Sequence, residues 1–144
     1  MPFHKEMKHV AYYMGKAAHG GDLLEEITAL CTARGITLGR VEALGALKKA
    51  HLGYYDQDAR EYRFLEINKP LEIAILVGNV SVKDGKPFVH AHVTLSDREH
   101  RAYGGHLGPG CEVFACEFVL QAFDGPQLTR VFDQQTGLPL WDEG

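Results

Sequence analysis

Residues 87–107 have the sequence PFVHAHVTLSDREHRAYGGHL, and the fold of the chain depends on how this stretch is arranged. Residues 88–95 alternate along a run rich in Val and Thr, which predicts a β-strand. Successive side chains of a strand point to opposite faces, so His90, His92 and Thr94 share one face while apolar side chains take the other. The stretch therefore predicts a half-buried strand with histidines on its polar face.

Three histidines of this stretch can form a metal site. The imidazoles of His90 and His92, at positions i and i+2 of a strand, can point at one centre, and His106 completes a set of three nitrogens. We expect His106 on a loop that Gly104 and Gly105 allow to fold back. Zn²⁺ suits three neutral imidazoles best among abundant divalent ions, and the open fourth position is typical of catalytic zinc. In the alternative interpretation, the three histidines only pack and form hydrogen bonds.

Catalysis at such a centre also needs a proton donor or acceptor, and two carboxylates are candidates. Glu72 and Glu117 each interrupt an apolar predicted strand, where an unpaired charge would be costly to bury. Either carboxylate could hydrogen-bond a ligating histidine. In the alternative interpretation, each one lies on an exposed strand face or pairs with a basic side chain at a subunit contact.

The N-terminal part of the chain is predicted to form one strand and one helix. Residues 9–14, HVAYYM, have the aromatic and β-branched character of a strand. Asp22 and Glu25 have the spacing of a capping box, and residues 23–33 carry apolar side chains at i, i+3, i+4 and i+7. Gly35 stands where a left-handed C-terminal cap is expected. We therefore expect a helix over residues 23–33 that lays an apolar stripe on a sheet.

The remainder of the chain is predicted to consist mainly of strands. The run LEIAILVGNV at residues 71–80 is apolar on both faces apart from Glu72 and Asn79, which predicts a central strand covered on both sides. Mostly short connections favour antiparallel neighbours. We expect an α+β fold, a single compact domain in which a curved, mainly antiparallel β-sheet packs with one or two helices. The predicted strands cover residues 39–50, 52–56, 61–66, 71–80, 88–96 and 112–123.

Length and composition indicate one soluble globular domain. The 144 residues are 45% hydrophobic and 24% charged. We assign residues 1–144 to this domain, with a core over about residues 8–133 and a tail over residues 134–144. No apolar run has the length of a membrane span or signal peptide, so we expect a cytoplasmic protein. The net charge of −4 and the scattered basic residues disfavour autonomous DNA binding.

The three cysteines are predicted to be reduced thiols. Cys31, Cys111 and Cys116 are odd in number and fit neither a C-x-x-C pair nor a zinc-ribbon spacing. Free cysteines are among the most buried residues of globular proteins. We therefore expect no disulfide framework and no cysteine-bound zinc.

Five segments in this order resemble the plants-and-prokaryotes-conserved (PPC) domain: GGDLLEEI, GRVEALGALKKAHLGYYD, LEIAILVGNV, PFVHAHVTLSD and YGGHLGPGCEVFACEFVL. The resemblance covers about residues 8–133, and its most specific part is the H-x-H strand followed by G-G-H-L. It implies a compact α+β domain with an antiparallel sheet, commonly a homotrimer. In plants the domain accompanies AT-hook motifs, and prokaryotic members are generally described as DNA-binding or of unknown function. This chain has no Arg-Gly-Arg-Pro-like AT-hook, the basic segment that enters a minor groove.

The chain also resembles, more distantly, acetolactate decarboxylase, a zinc enzyme whose ligands are an H-x-H pair and a later histidine. By position, His90, His92 and His106 match that ligand pattern. Three functions follow as expectations. The first is a DNA-binding or DNA-associated regulatory module, acting directly or through a DNA-binding partner protein. The second is a zinc-dependent lyase that takes a small carboxylated substrate at the metal, and the third is a homotrimeric scaffold with a purely structural metal.

Overall fold

Ten elements follow one another along the described residues, 1–143, of the computed structural model. Gly144, the last residue of the predicted tail, lies outside the described residues. The elements are β1 (Lys8–Lys16), α1 (Leu23–Arg34), β2 (Gly39–Asp56), β3 (Glu61–Ile67), β4 (Leu71–Lys83), β5 (Lys86–Ser96), β6 (Ala102–Leu107), β7 (Glu112–Asp124), β8 (Arg130–Phe132) and β9 (Pro139–Trp141).

The helix α1 confirms the prediction made from its caps. The Asp22 side chain accepts a hydrogen bond from the Glu25 backbone N–H at 3.0 Å. A different glutamate, Glu26, accepts a hydrogen bond from the backbone N–H of Ala18 at 2.9 Å and fixes the chain that enters the helix. Gly35 ends the helix in the left-handed conformation, with φ of 64°. The helix is the only one among residues 1–143, and its buried stripe consists of Leu23, Ile27 and Cys31.

The main sheet has seven antiparallel strands, and β4 lies near its centre as predicted. The strand order is β1-β7-β2-β4-β5-β6, with β3 paired to β2. The prediction of two strands over residues 39–56 is wrong, because β2 is one long strand that changes partners along its length. Its first part pairs with β4 and β7, and its second part pairs with β3 and β6.

A bulge at Gly45 accompanies this change of partners. Gly45 has φ of 143°, and an added Cβ would lie 2.1 Å from the Ala115 carbonyl oxygen. The register of β2 against β4 shifts between Ala43 and Gly45. Because a bulge bends its strand, β2 can leave the plane of its first partners and reach β6. The sheet therefore curls back on itself, which brings β6 beside both β2 and β5.

One face of the sheet packs on α1 and forms the core, whereas the opposite face is uncovered. The prediction that residues 71–80 are covered on both sides is wrong, since Ile75 is 52% exposed and Val77 is 40% exposed. The apolar exposure continues across the sheet with Tyr12, Met14 and Leu44. We call this surface the open face. The three cysteines are free and buried, as predicted.

The C-terminal segment folds onto the end of the sheet. Strands β8 and β9 form a small antiparallel pair, and Thr129 bridges to Val82 of β4. The indole N–H of Trp141 donates to the Ser81 hydroxyl at 3.1 Å. The segment therefore forms one wall at the His90 end of β4 and β5. No helix among residues 1–143 is long and apolar enough to span a bilayer.

Candidate metal centre

The three predicted histidines meet where β5, β6 and β2 adjoin. His92 on β5 lies directly opposite His106 on β6, and His106 lies opposite Gly53 on β2. His90 precedes His92 by two residues and shares its face. The expectation of a loop at His106 is wrong, because Gly104 and Gly105 continue β6 opposite β5. Cross-strand pairing, rather than a folded-back loop, therefore delivers the third imidazole.

The geometry of the cluster fits a metal ion. The Nε2 atoms of His90 and His92 lie 3.3 Å apart. Two nitrogens that share a tetrahedral Zn²⁺ at bond lengths of about 2.0–2.1 Å lie about 3.3–3.4 Å apart. One ring nitrogen of each histidine lies within 4.8 Å of the others. Nδ1 of His106 is buried and has no hydrogen-bond partner in the described structure, so this ring nitrogen is left unsatisfied by the protein.

Burial keeps two of the imidazoles in the neutral form that a metal requires. Burial, the positive charge of Arg130 and the other two histidines together lower the pKa of His90 to about 4. Burial, His92 and Arg130 also lower the pKa of His106 below its ordinary value. A neutral imidazole offers a lone pair, whereas an imidazolium does not. The cluster is therefore ready to accept a cation at neutral pH.

A cavity of about 680 Å³ opens beside the cluster, and His90 and His92 form part of its wall. Its lining also includes Asn79, Lys5, Arg40 and Trp141. No aspartate or glutamate among residues 1–143 lines it. No fourth histidine, cysteine or carboxylate of the described chain joins the three-histidine group. The protein side of the centre thus consists of three nitrogens and an adjoining space.

Sequence reasoning missed two residues beside the centre. The ring of Tyr62 on β3 lies 4.8 Å from that of His106, measured between centroids. Arg130 is 8% exposed and donates to the Asn79 side chain at 2.9 Å. Asn79 itself interrupts the apolar run of β4, which was a usable signal. Arg130 comes from the C-terminal segment, and no local pattern indicates that it returns to β4.

The two carboxylates considered for catalysis lie elsewhere on the sheet. Glu72 is exposed and pairs in register with Ser96, four residues beyond His92 on β5. At about 3.3 Å per residue, four strand residues span about 13 Å. Glu117 is exposed on β7 and lines a different groove of the open face together with Met14. The structure therefore brings the three histidines together and brings neither glutamate to them.

A second polar cluster lies just beyond the C-terminal end of β5. Oδ1 of Asp97 accepts from the backbone N–H groups of Glu99 and Arg101, at 3.0 and 2.9 Å. Oδ2 accepts from Lys69 Nζ, Arg101 Nε and the Tyr103 hydroxyl, at 3.1, 2.9 and 3.1 Å. Burial opposes ionisation of Asp97, but these hydrogen bonds outweigh it and hold the pKa of the carboxyl well below its usual range. Both carboxylate oxygens are satisfied by the protein itself.

A match to a protein-family model tests the PPC relationship that the sequence motifs predicted. The model of the Plants and Prokaryotes Conserved (PCC) domain matches residues 4–124. The chain belongs to the PCC domain family. The resemblance to the PPC domain, stated from the sequence motifs, is thereby confirmed.

Several solved structures share nearly the whole fold. A metal-containing protein from Archaeoglobus fulgidus is 42% identical, with a TM-score of 0.91 over 95% of this chain and 96% of its own. A plant- and prokaryote-conserved protein from Pyrococcus horikoshii is 36% identical, with a TM-score of 0.91 over 95% and 94%. A protein from Ralstonia eutropha, described provisionally as DNA-binding, is 25% identical, with a TM-score of 0.81 over 90% of each chain.

A curated relative contains a similar segment within a longer chain. The bifunctional protein GlmU of a Synechococcus strain is 33% identical over 121 residues, which are 82% of this chain. The match spans only 18% of the length of that GlmU protein. The likeness therefore concerns one segment of GlmU.

Proposed function

We propose that this PCC-domain protein holds Zn²⁺ with His90, His92 and His106, and that the centre binds a small molecule entering the adjoining cavity. One observation carries the proposal, namely the convergence of three imidazole nitrogens within 4.8 Å at the wall of a cavity. The metal-containing relative from Archaeoglobus fulgidus supports it. A structural zinc site is closed by four protein ligands, and no fourth ligand joins the group among residues 1–143.

The roles of the protein and of the metal are separate. Zinc, when bound, supplies Lewis acidity at the wall of the cavity. The chain supplies three imidazole nitrogens, and burial and the charge of Arg130 lower the pKa of His90 and of His106. The exposed apolar side chain of Val77, opposite His92 in register, forms part of the cavity floor. These groups would orient a ligand and limit water at the centre.

Zinc content tests the proposal directly. Untagged wild-type protein should contain about one zinc per chain, and His92→Ala should contain nearly none. His9→Ala is the matched control, since His9 is an exposed histidine on β1 outside the cluster, and it should keep the zinc. Wild-type protein that neither retains nor takes up zinc would refute the proposal.

A second candidate function is association with DNA, favoured by the provisional description of the Ralstonia eutropha relative. The net charge of −4 makes any such binding weak and strongly salt-dependent. A mobility-shift titration of a long duplex should therefore show a complex at low salt that disappears as salt rises. The absence of a shift at the lowest salt would leave DNA contact to a partner protein.

We also propose that the open face mediates self-association into a homotrimer. Met14, Leu44 and Ile75 line one apolar groove on this face and are 83%, 58% and 52% exposed. Exposed apolar patches of this kind mark interaction surfaces. Light scattering should give the mass of three chains for wild type and of one chain for Ile75→Glu. Val131→Glu, a control on β8 with 44% exposure, should keep the wild-type mass.

A further inference from the structure

Arg130 is a buried cation whose hydrogen-bond acceptors are all neutral. Its guanidinium donates to the Ser81 hydroxyl at 3.1 Å, to the Pro139 carbonyl at 3.1 Å and to Oδ1 of Asn79 at 2.9 Å. The guanidinium carbon also lies 5.3 and 5.5 Å from the ring centroids of Phe88 and Trp141. No carboxylate among residues 1–143 forms an ion pair with Arg130 under a distance limit of 4.0 Å. Its charge is therefore held in place by dipoles and rings, without a counterion among residues 1–143.

This positive charge acts on the metal centre and its cavity. Burial of the guanidinium disfavours its charged form and lowers the pKa of Arg130, yet an arginine stays protonated at neutral pH. Arg130 lies directly behind the cavity wall, because it contacts Asn79 and Trp141, which both line the cavity. A buried charge that lacks a counterion is costly, and an anion bound nearby would offset that cost. The location of Arg130 thus favours an anionic ligand.

Asn79 connects Arg130 to the cavity. A guanidinium has only donors, so the atom of the Asn79 amide that faces it must be the oxygen. The amide NH₂ of Asn79 then points away from Arg130. Asn79 lies opposite His90 in register and lines the cavity. Arg130 therefore orients a hydrogen-bond donor next to the three histidines.

The remaining cavity wall combines cationic and apolar groups. Lys5 and Arg40 line it, Arg40 being paired with the Glu42 carboxylate outside the wall, and no carboxylate of the described residues lines it. Met7, Phe123 and Trp141 provide apolar surface. A wall of this kind suits a molecule with one anionic group and a short apolar part.

We propose that the cavity is a binding site for a small organic oxyanion, a carboxylate or a phosphate ester, held beside the histidine centre by the Asn79 amide and the charge of Arg130. Because this cavity adjoins the proposed metal site, the inference rests on the proposed function. The anion-binding groups themselves, Asn79 and Arg130, belong to the protein and need no metal. The two proposals can therefore fail separately.

The single tryptophan of the chain, Trp141, reports on the site because it lines the cavity. Its fluorescence should change on titration with butyrate, and butyrate should bind roughly tenfold tighter than 1-butanol, the neutral molecule of the same chain length. Acetate should bind more weakly than butyrate because it has less apolar surface. A titration with butyl phosphate in place of butyrate compares a phosphate ester with a carboxylate. The ligand that binds with the higher affinity identifies the class of oxyanion. Each titration is made with zinc-loaded and with metal-free protein.

Two variants at Asn79 and one matched control complete the test. Asn79→Asp places a carboxylate against Arg130 and should weaken oxyanion binding at least roughly tenfold. Asn79→Leu removes the amide donor without adding charge and should weaken oxyanion binding by a smaller factor. Asn68→Asp makes the same substitution at an exposed site at the opposite end of β4 and should leave binding unchanged.

The outcomes separate the two proposals. Oxyanions that bind no tighter than 1-butanol, or unchanged affinity in both folded Asn79 variants, would overturn the inference even if zinc binds. Oxyanion binding that persists in a protein without zinc affinity would support the inference and refute the proposed metal function.

Discussion

The middle and the C-terminal end of β5 carry polar clusters of opposite character. At the C-terminal end, Asp97 receives hydrogen bonds at both carboxylate oxygens from its own turn and from neighbouring side chains. In the middle of the strand, His90 and His92 face His106, and a buried nitrogen of His106 has no partner in the described structure. Buried polar groups are normally satisfied within the protein. The satisfied cluster thus has the character of a structural element, and the unsatisfied cluster that of a ligand site.

Removing a histidine should have the largest effect, on metal binding alone. His106→Ala should reduce zinc from about one ion per chain to nearly none, because two remaining imidazoles make a poor site. Asp97→Asn should keep the full zinc content. Elemental analysis of both variants after dialysis measures the difference. Equal zinc loss in the two variants would mean that the clusters do not differ in function.

Removing the Asp97 carboxylate should have the next largest effect, on folding stability. Asp97→Ala leaves Lys69 and Arg101 without their shared acceptor and two turn N–H groups without one. We expect the melting temperature of the metal-free protein to fall by roughly 5–10 °C. Glu99→Ala, which removes only an exposed contact with Arg101, should change it little. Calorimetry compares the two, and similar melting temperatures would contradict the structural role of Asp97.

Lowering the pH should also test the Asp97 cluster, because the pKa of Asp97 differs between the folded and the unfolded chain. The folded pKa of Asp97 lies below its unfolded value of about 3.9, so the unfolded chain binds the proton more readily. The stabilisation of the folded state by the Asp97 carboxylate is complete above the pKa of Asp97 in the unfolded chain. It is lost as the pH falls through the pKa of Asp97 in the folded chain. The free-energy difference between metal-free wild type and Asp97→Asn should therefore be constant above about pH 5 and shrink below about pH 4. Urea unfolding across this range measures it, and a pH-independent difference would contradict the assignment.

The smallest effect is expected from crowding behind His106. A Cβ at Gly53 would lie 3.1 Å from atoms of Tyr62 and Phe64 and 3.4 Å from Cβ of His106. Gly53→Ala should therefore shift His106 and weaken zinc binding, by up to roughly tenfold. Gly104→Ala, where the nearest atom to an added Cβ lies at 3.7 Å, should leave affinity unchanged. Chelator competition resolves such a difference, and equal affinities would show that β2 does not position His106.

Local patterns predicted the parts of the molecule that local forces build. The caps at Asp22 and Gly35 defined α1 within one residue of its observed end. Alternation around His90 and His92 placed both on one face of β5. The metal site built on them stays a prediction, which the geometry supports. The assignment of His106 to a loop was wrong, because two glycines are equally compatible with a strand when the neighbouring strand approaches closely.

By itself, the sequence determined the family, the helix, the antiparallel strands and the three histidines, because capping and side-chain alternation depend on neighbours within a few residues. Only the tertiary structure decided that β2 bends to meet β6, that one sheet face stays uncovered and that Arg130 reaches Asn79. Those contacts join residues far apart in the chain, and strand register and burial arise only when the whole sheet assembles. The ligand environment of the histidines belongs to this second group.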